Sequence, residues 1–109
     1  MISFEDARLM INKWNQESLL VRCDVVVDGG LRFSLIGTID SLEDTGFGIR
    51  AADMRCWARL PFISLHGYDY GDSRTAAPEM RDFVAENYEA ILRFKMDFAL
   101  ISIAEIKQV

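Results

Sequence analysis

Two hydrophobic periods alternate along the chain and divide it into helical and extended segments. Phe4, Ala7, Ile11 and Trp14 recur at three-and-four spacing with Met10 beside them, while Glu5, Arg8, Asn12 and Asn15 face away. One apolar stripe of this kind predicts a helix over 4–16. Ser3 followed by Asp6 forms a capping box with Asp in place of Glu, and Glu5 and Asp6 put negative charge where the helix dipole favours it.

From Leu19 the period becomes two. Leu19, Val21, Cys23, Val25 and Val27 share one face and Arg22 and Asp24 the other, as in a half-buried strand. Asp28-Gly29-Gly30 supplies the positive φ of a tight hairpin, after which Leu31, Phe33 and Leu35 resume the alternation against Arg32 and Ser34. Gly37 interrupts this second strand and predicts a bulge or sharp bend. Glu43-Asp44-Thr45-Gly46 reads as a turn, followed by a short strand from Phe47 to Ala51, Ala52-Asp53, and another strand near Arg55 to Leu60. Pro61 argues against a regular central strand, with pairing resuming at Phe62 to Leu65.

Gly67 to Arg74 is rich in turn formers and lacks an apolar period, so it reads as a surface loop or a frayed strand end. Pro78, with Glu79 and Asp82 nearby, starts a second helix over 78–87. Beyond it, Tyr88, Ala90, Leu92 and Phe94 alternate with Glu89, Arg93 and Lys95, although the same stretch also continues a helical stripe; the strand is preferred. Lys95-Met96-Asp97 then turns into a last strand from Phe98 to Ala104. The expected fold is α+β over a single domain, 1–109: an N-terminal helix, a strongly bent antiparallel sheet or small barrel of about five or six strands, and a second helix before a C-terminal β-hairpin.

Residues Val21-Arg22-Cys23-Asp24-Val25-Val26-Val27, the glycine hairpin and Gly37-Thr38-Ile39, preceded by a helix, resemble the opening of the Sm-like small β-barrels over residues 4 to 60. The resemblance implies an SH3-like barrel and RNA binding. RNA-binding members carry an Asp and an Asn shortly after that glycine and an Arg-Gly pair in a later strand. Here the turn is Glu43-Asp44-Thr45-Gly46 and Ile49-Arg50 is followed by Ala51, so those residues do not carry over. The whole chain is also similar to the small proteins that bacterial genomes encode in quantity, which implies no activity.

At 109 residues, half of them apolar, the chain can bury one core without staples. The net charge of −5 has the wrong sign for binding a phosphate backbone, although folding could gather the scattered arginines. Cys23 and Cys56 fall in apolar strand patterns and are expected to be buried, reduced and unbonded to each other. The opening residues lack the basic-then-apolar pattern of a secretory signal, and no apolar run reaches membrane-spanning length, so a cytoplasmic protein without membrane attachment is expected.

Chemistry is sparse. His66, the only histidine, would need Cys23, Cys56 or a nearby serine such as Ser64 or Ser73 for a nucleophilic site, and it lacks a positioned partner. Glu43 and Asp44 are turn neighbours that point into water, and Gly46-Phe47-Gly48 lacks the Lys and helix of a phosphate loop. Asp53, Asp69 and Asp72 match no calcium loop, and one histidine with two separated cysteines makes no zinc site. No catalytic residue, metal or cofactor is assigned. Trp14 and Trp57 are expected in the core.

The candidate binding residues are Tyr68, Asp69, Tyr70, Asp72 and Arg74, because exposed tyrosines give contact area at low entropic cost. A non-enzymatic interaction or regulatory module that binds itself or another protein is the favoured function. A nucleic-acid-binding barrel, revived by a basic patch, and a ligand carrier or small enzyme, revived by a cleft converging on 67–74, are the alternatives.

Overall fold

The computed structural model describes residues 1–28, 30–53, 55–62, 68–96 and 99–108, without the side chains of 31 and 96. Helix α1 spans Phe4–Gln16 and α2 spans Arg81–Asn87, the latter entered through a 3₁₀ turn at Pro78–Met80. Seven strands make one antiparallel sheet: β1 Leu20–Val27, β2 Leu31–Leu42, β3 Gly46–Ala51, β4 Trp57–Pro61, β5 Asp69–Gly71, β6 Tyr88–Met96 and β7 Ala99–Ile106. Their order is β4-β3-β2-β1-β7-β6-β5, so β4 and β5 are edges and the sheet does not close into a barrel. It has one or two strands more than expected, and the preponderance of sheet makes the class α+β only loosely.

The alternation read in β1 decides which face is core. Val21 and Cys23 point to the concave side, with Leu35 and Ile39 of β2, Phe47 and Ile49 of β3, Leu92 and Phe94 of β6 and Ile101 and Ile103 of β7. Helix α1 fills this concavity with the stripe that its spacing predicted, Ala7, Ile11 and Trp14 all being buried. Each fully buried aliphatic or aromatic side chain is worth about 1.5–3 kcal/mol. Ser3 caps the helix, its hydroxyl accepting from the Asp6 amide at 3.1 Å. The Trp14 indole donates to the Glu105 carboxylate at 2.7 Å, tying α1 to β7.

The sheet is bent enough for one helix residue to meet both of its ends. The Phe4 ring lies 5.2 Å from Phe62, just after β4, and 6.2 Å from Tyr68, just before β5. On the convex face α2 covers a small patch, Val84 packing on Ile91 and Ala104. The helix stops where Tyr88 turns extended (φ −131°, ψ 140°), and β6 and β7 form the expected hairpin.

Of the bulge or sharp bend expected at Gly37, the bulge does not fall there. The register shift falls later, between Ile39 and Ser41, whereas at Gly37 a Cβ atom would stand 1.8 Å from the Arg50 carbonyl oxygen. Pro61 ends β4, a position an edge strand tolerates. Trp57 is not core: it is half exposed on the convex face, donating to Asp40 at 3.1 Å. Cys23 is buried, as expected, but Cys56 is exposed, because β4 starts only at Trp57 and Cys56 lies in the link before it; both thiols are free.

Candidate functional site

The five residues singled out in the sequence do not form one surface. Tyr68 is buried, its ring 5.1 Å from that of Phe94, and the Ile2 amide donates to its carbonyl at 2.8 Å. It belongs to the core, because the chain re-enters the sheet at β5 instead of looping over the surface. Asp69, exposed on β5, lies 3.8 Å from the N-terminal amine. Tyr70 is partly exposed and points its hydroxyl at Asp72, 3.4 Å away.

Asp72 is hydrogen-bonded within its own loop. It is 8% exposed and accepts from the Arg74 amide at 2.8 Å, the Arg74 guanidinium at 2.8 and 3.2 Å and the Thr75 amide at 3.3 Å. Its own amide donates to the Thr75 hydroxyl at 2.9 Å. The Arg74 side chain, then that residue's amide and charge, hold the Asp72 carboxyl below its ordinary value. A cleft of about 440 Å³ does open nearby, but of the five residues only Tyr70 lines it, beside Lys13, Glu17, Glu89 and Glu105. The cleft therefore does not converge on the loop. His66, Ser64 and Gly67 lie outside the described residues.

Four arginines elsewhere are matched to carboxylates. Arg8 faces Asp44 at 3.4 Å, Arg50 faces Asp40 at 2.8 Å, Arg59 faces Glu43 at 3.0 Å, and Arg22 faces Asp24 at 3.0 Å. The Tyr88 hydroxyl, then Asp24, also stabilises the charged form of Arg22. These arginines interleave with carboxylates and make no basic patch. Asp53 accepts from the Arg55 amide at 3.0 Å, as in an Asx turn.

What the structure leaves incomplete is an edge. Strand β2 has 12 residues and β3 only 6, and their pairing ends at Gly37 with Ala51. The last link across is from the Ala52 amide to the Ile36 carbonyl, 2.9 Å. Beyond it the chain reverses: Asp53 holds the turn and the Ala51 amide donates to the Cys56 carbonyl at 2.8 Å. Residues 31–35 of β2 consequently pair with β1 alone.

Backbone polarity alternates along a strand, so with Ile36 turned toward β3, Arg32 and Ser34 turn their N–H and C=O groups the same way. Among the described residues no strand receives them. Beside this edge runs a groove of about 370 Å³ walled by Phe33, Leu35, Ile36, Ala52 and Cys56. Phe33 and Ile36 are 43% and 49% exposed, although both lie in a strand.

Compared with family models, with curated proteins and with solved structures, the chain matches none.

The other two edges are protected in recognisable ways. β4 carries Pro61, which has no amide to offer, and Arg59, held by Glu43. β5 has three residues, and the residue before it is bridged by Ile2. The β2 edge has no proline and, among the described residues, no cover. Sequence reading identified the hairpin that carries it but not its exposure. The available signal was a mismatch in length, a strand beginning at Leu31 set against a short run from Phe47 to Ala51.

Proposed function

We propose that this chain is a non-enzymatic interaction module that binds an extended protein segment by strand addition along residues 31–35 of β2. The observation that carries this reading is the pair of outward-turned backbones at Arg32 and Ser34, bordered by the exposed Phe33 and the adjoining groove. Main-chain bonding at such an edge supplies affinity, and alternate side-chain pockets supply selectivity. Phe33 and Leu35 point to the concave side beside the groove, whereas Arg32 and Ser34 lie on the convex side with Asp24. An incoming strand is thus met by an apolar face and a polar face.

Selection of displayed random peptides against the immobilised chain tests the reading. Selected peptides should shift the amide signals of Arg32 and Ser34, protect them from exchange, and fail to bind Ser34→Pro. Proline removes the outward donor without touching the ladder to β1. Peptides that bind equally well to Ser34→Pro, or a selection that yields none, would refute it.

A further inference from the structure

We infer that the segment taken up by the β2 edge is the β2 edge of a second copy of this chain, paired antiparallel about a twofold axis at Phe33. The inference rests on the strand-addition reading and specifies its partner. Antiparallel strands bond only where outward-turned residues oppose each other, so Arg32 and Ser34 of one copy must meet outward-turned residues of the other. Three symmetric registers satisfy this condition near the centre of the edge.

An axis at Arg32 sets Ser34 against the second copy's Gly30, which sits in the hairpin turn at φ +92° and cannot continue a strand. An axis at Ser34 sets Arg32 against the second copy's Ile36, whose carbonyl already accepts from Ala52. An axis at Phe33 sets Arg32 against Ser34 twice over and closes four main-chain hydrogen bonds, using every free group of both residues. This register alone leaves no outward donor or acceptor of the two residues idle.

Side chains favour the same register. On the concave face the two Phe33 rings meet across the axis as a non-hydrogen-bonded pair, with Cα atoms about 4.5 Å apart. On the convex face Arg32 stands over the second copy's Ser34, a small residue whose hydroxyl donates to Asp24. Asp24 is one strand further in, roughly 10 Å from Arg32 between backbones, a span the long arginine side chain and the carboxylate bridge together. Each copy thus offers one cation to the other's carboxylate, and symmetry doubles the contact. The contact is short, well below the roughly 1,200 Å² of stable complexes, so association is weak and reversible, with a dissociation constant on the order of 100 µM.

Sedimentation of the full chain from about 10 µM to about 1 mM should show monomer passing to dimer. Ser34→Pro should remain monomeric throughout, and Arg32→Glu, an exposed charge reversal that leaves the fold intact, should weaken the dimer at least tenfold. A disulfide trap fixes the register independently of affinity. In a Cys56→Ser background, Phe33→Cys should couple to itself under mild oxidation, because the paired Cα atoms lie within disulfide reach. Arg32→Cys should couple to Ser34→Cys when the two are mixed, and not to itself.

A chain that stays monomeric to about 1 mM with Phe33→Cys uncoupled would overturn the inference while leaving the peptide experiment to judge strand addition. A dimer that survives Ser34→Pro, or one in which Arg32→Cys couples to itself, would place the contact elsewhere and overturn it too.

Discussion

Replacing Gly37 with alanine tests how β2 and β3 are joined beside the open edge. The added Cβ would lie 1.8 Å from the Arg50 carbonyl oxygen, 2.6 Å from its carbon and 2.9 Å from the Ala51 Cα, all backbone atoms. Ordinary contact between carbon and oxygen needs about 3.3 Å, so the strands must part by roughly 1.5 Å. The Ala52 to Ile36 bond, now 2.9 Å, would then exceed hydrogen-bonding distance, and so would its neighbours between Thr38 and Arg50. β3 cannot follow freely, because Phe47 and Ile49 are fully buried under α1.

Loss of two or three bonds at about 1 kcal/mol each, with about 1–3 kcal/mol of packing strain, gives about 3–6 kcal/mol. Lower unfolded-state entropy of alanine returns about 0.5–1 kcal/mol. The net cost is about 4 kcal/mol, a lowering of Tm by roughly 16–30 °C in a domain of this size. Gly30→Ala is the control. Nothing lies within 4 Å of its Cβ position, and only its φ of +92° is strained, so it should cost about 1–2 kcal/mol. Urea unfolding of both variants measures the difference. A Gly37→Ala variant within 1 kcal/mol of the parent, or one more stable than Gly30→Ala, would refute the close approach of β2 and β3.

Trp14→Phe removes the bond to Glu105 and should cost about 2 kcal/mol by urea unfolding, since it deletes a charge-assisted hydrogen bond in the core. The Asp72 carboxyl is held low, mainly by Arg74, so its stabilisation is present above the ordinary carboxylate range and fades as pH falls through the lowered value. Asp72→Asn should therefore be less stable than the parent at neutral pH, with the gap closing below about pH 4; a gap constant with pH would contradict the pairing. Burial, then the Asp24 charge, pushes the Cys23 thiol up to about 12. Its contribution is complete below its ordinary value of 9.0 and lost as pH rises toward 12, so Cys23→Ala should flatten the alkaline loss of stability. Thiol titration of the native chain should find Cys56 reacting at once and Cys23 only on unfolding; two fast thiols would contradict the burial of Cys23.

Much of the fold was legible because its determinants are local. The stripe of α1, the alternation of β1 and the glycines of the first hairpin each fit within one turn or one strand pair. At Tyr88 two periods overlapped, and the preferred one, the strand, is what the structure contains. Non-local determinants were misread. Tyr68 stands among turn formers, so nothing in its neighbours reveals that Phe4 and Phe94 close around it. Asp72 reads as solvated until Arg74 and Thr75 are seen folded onto it. Cys56 and Trp57 sit in an apolar run, but Cys56 falls in the link before β4 and Trp57 on the water-facing side of that edge strand. The open edge depends on the difference in length between β2 and β3, which becomes apparent only when the two are paired.

Amide hydrogen exchange, residue by residue, at low and high protein concentration tests the central claim most directly. In dilute solution Phe33 and Leu35, bonded to β1, should be protected, while Arg32 and Ser34, one residue removed from each, should exchange freely. Protection should appear at Arg32 and Ser34 as concentration rises or as a selected peptide is added. Protection of Arg32 and Ser34 equal to that of Phe33 in dilute chain would show that the edge is already covered from within, and would contradict the account.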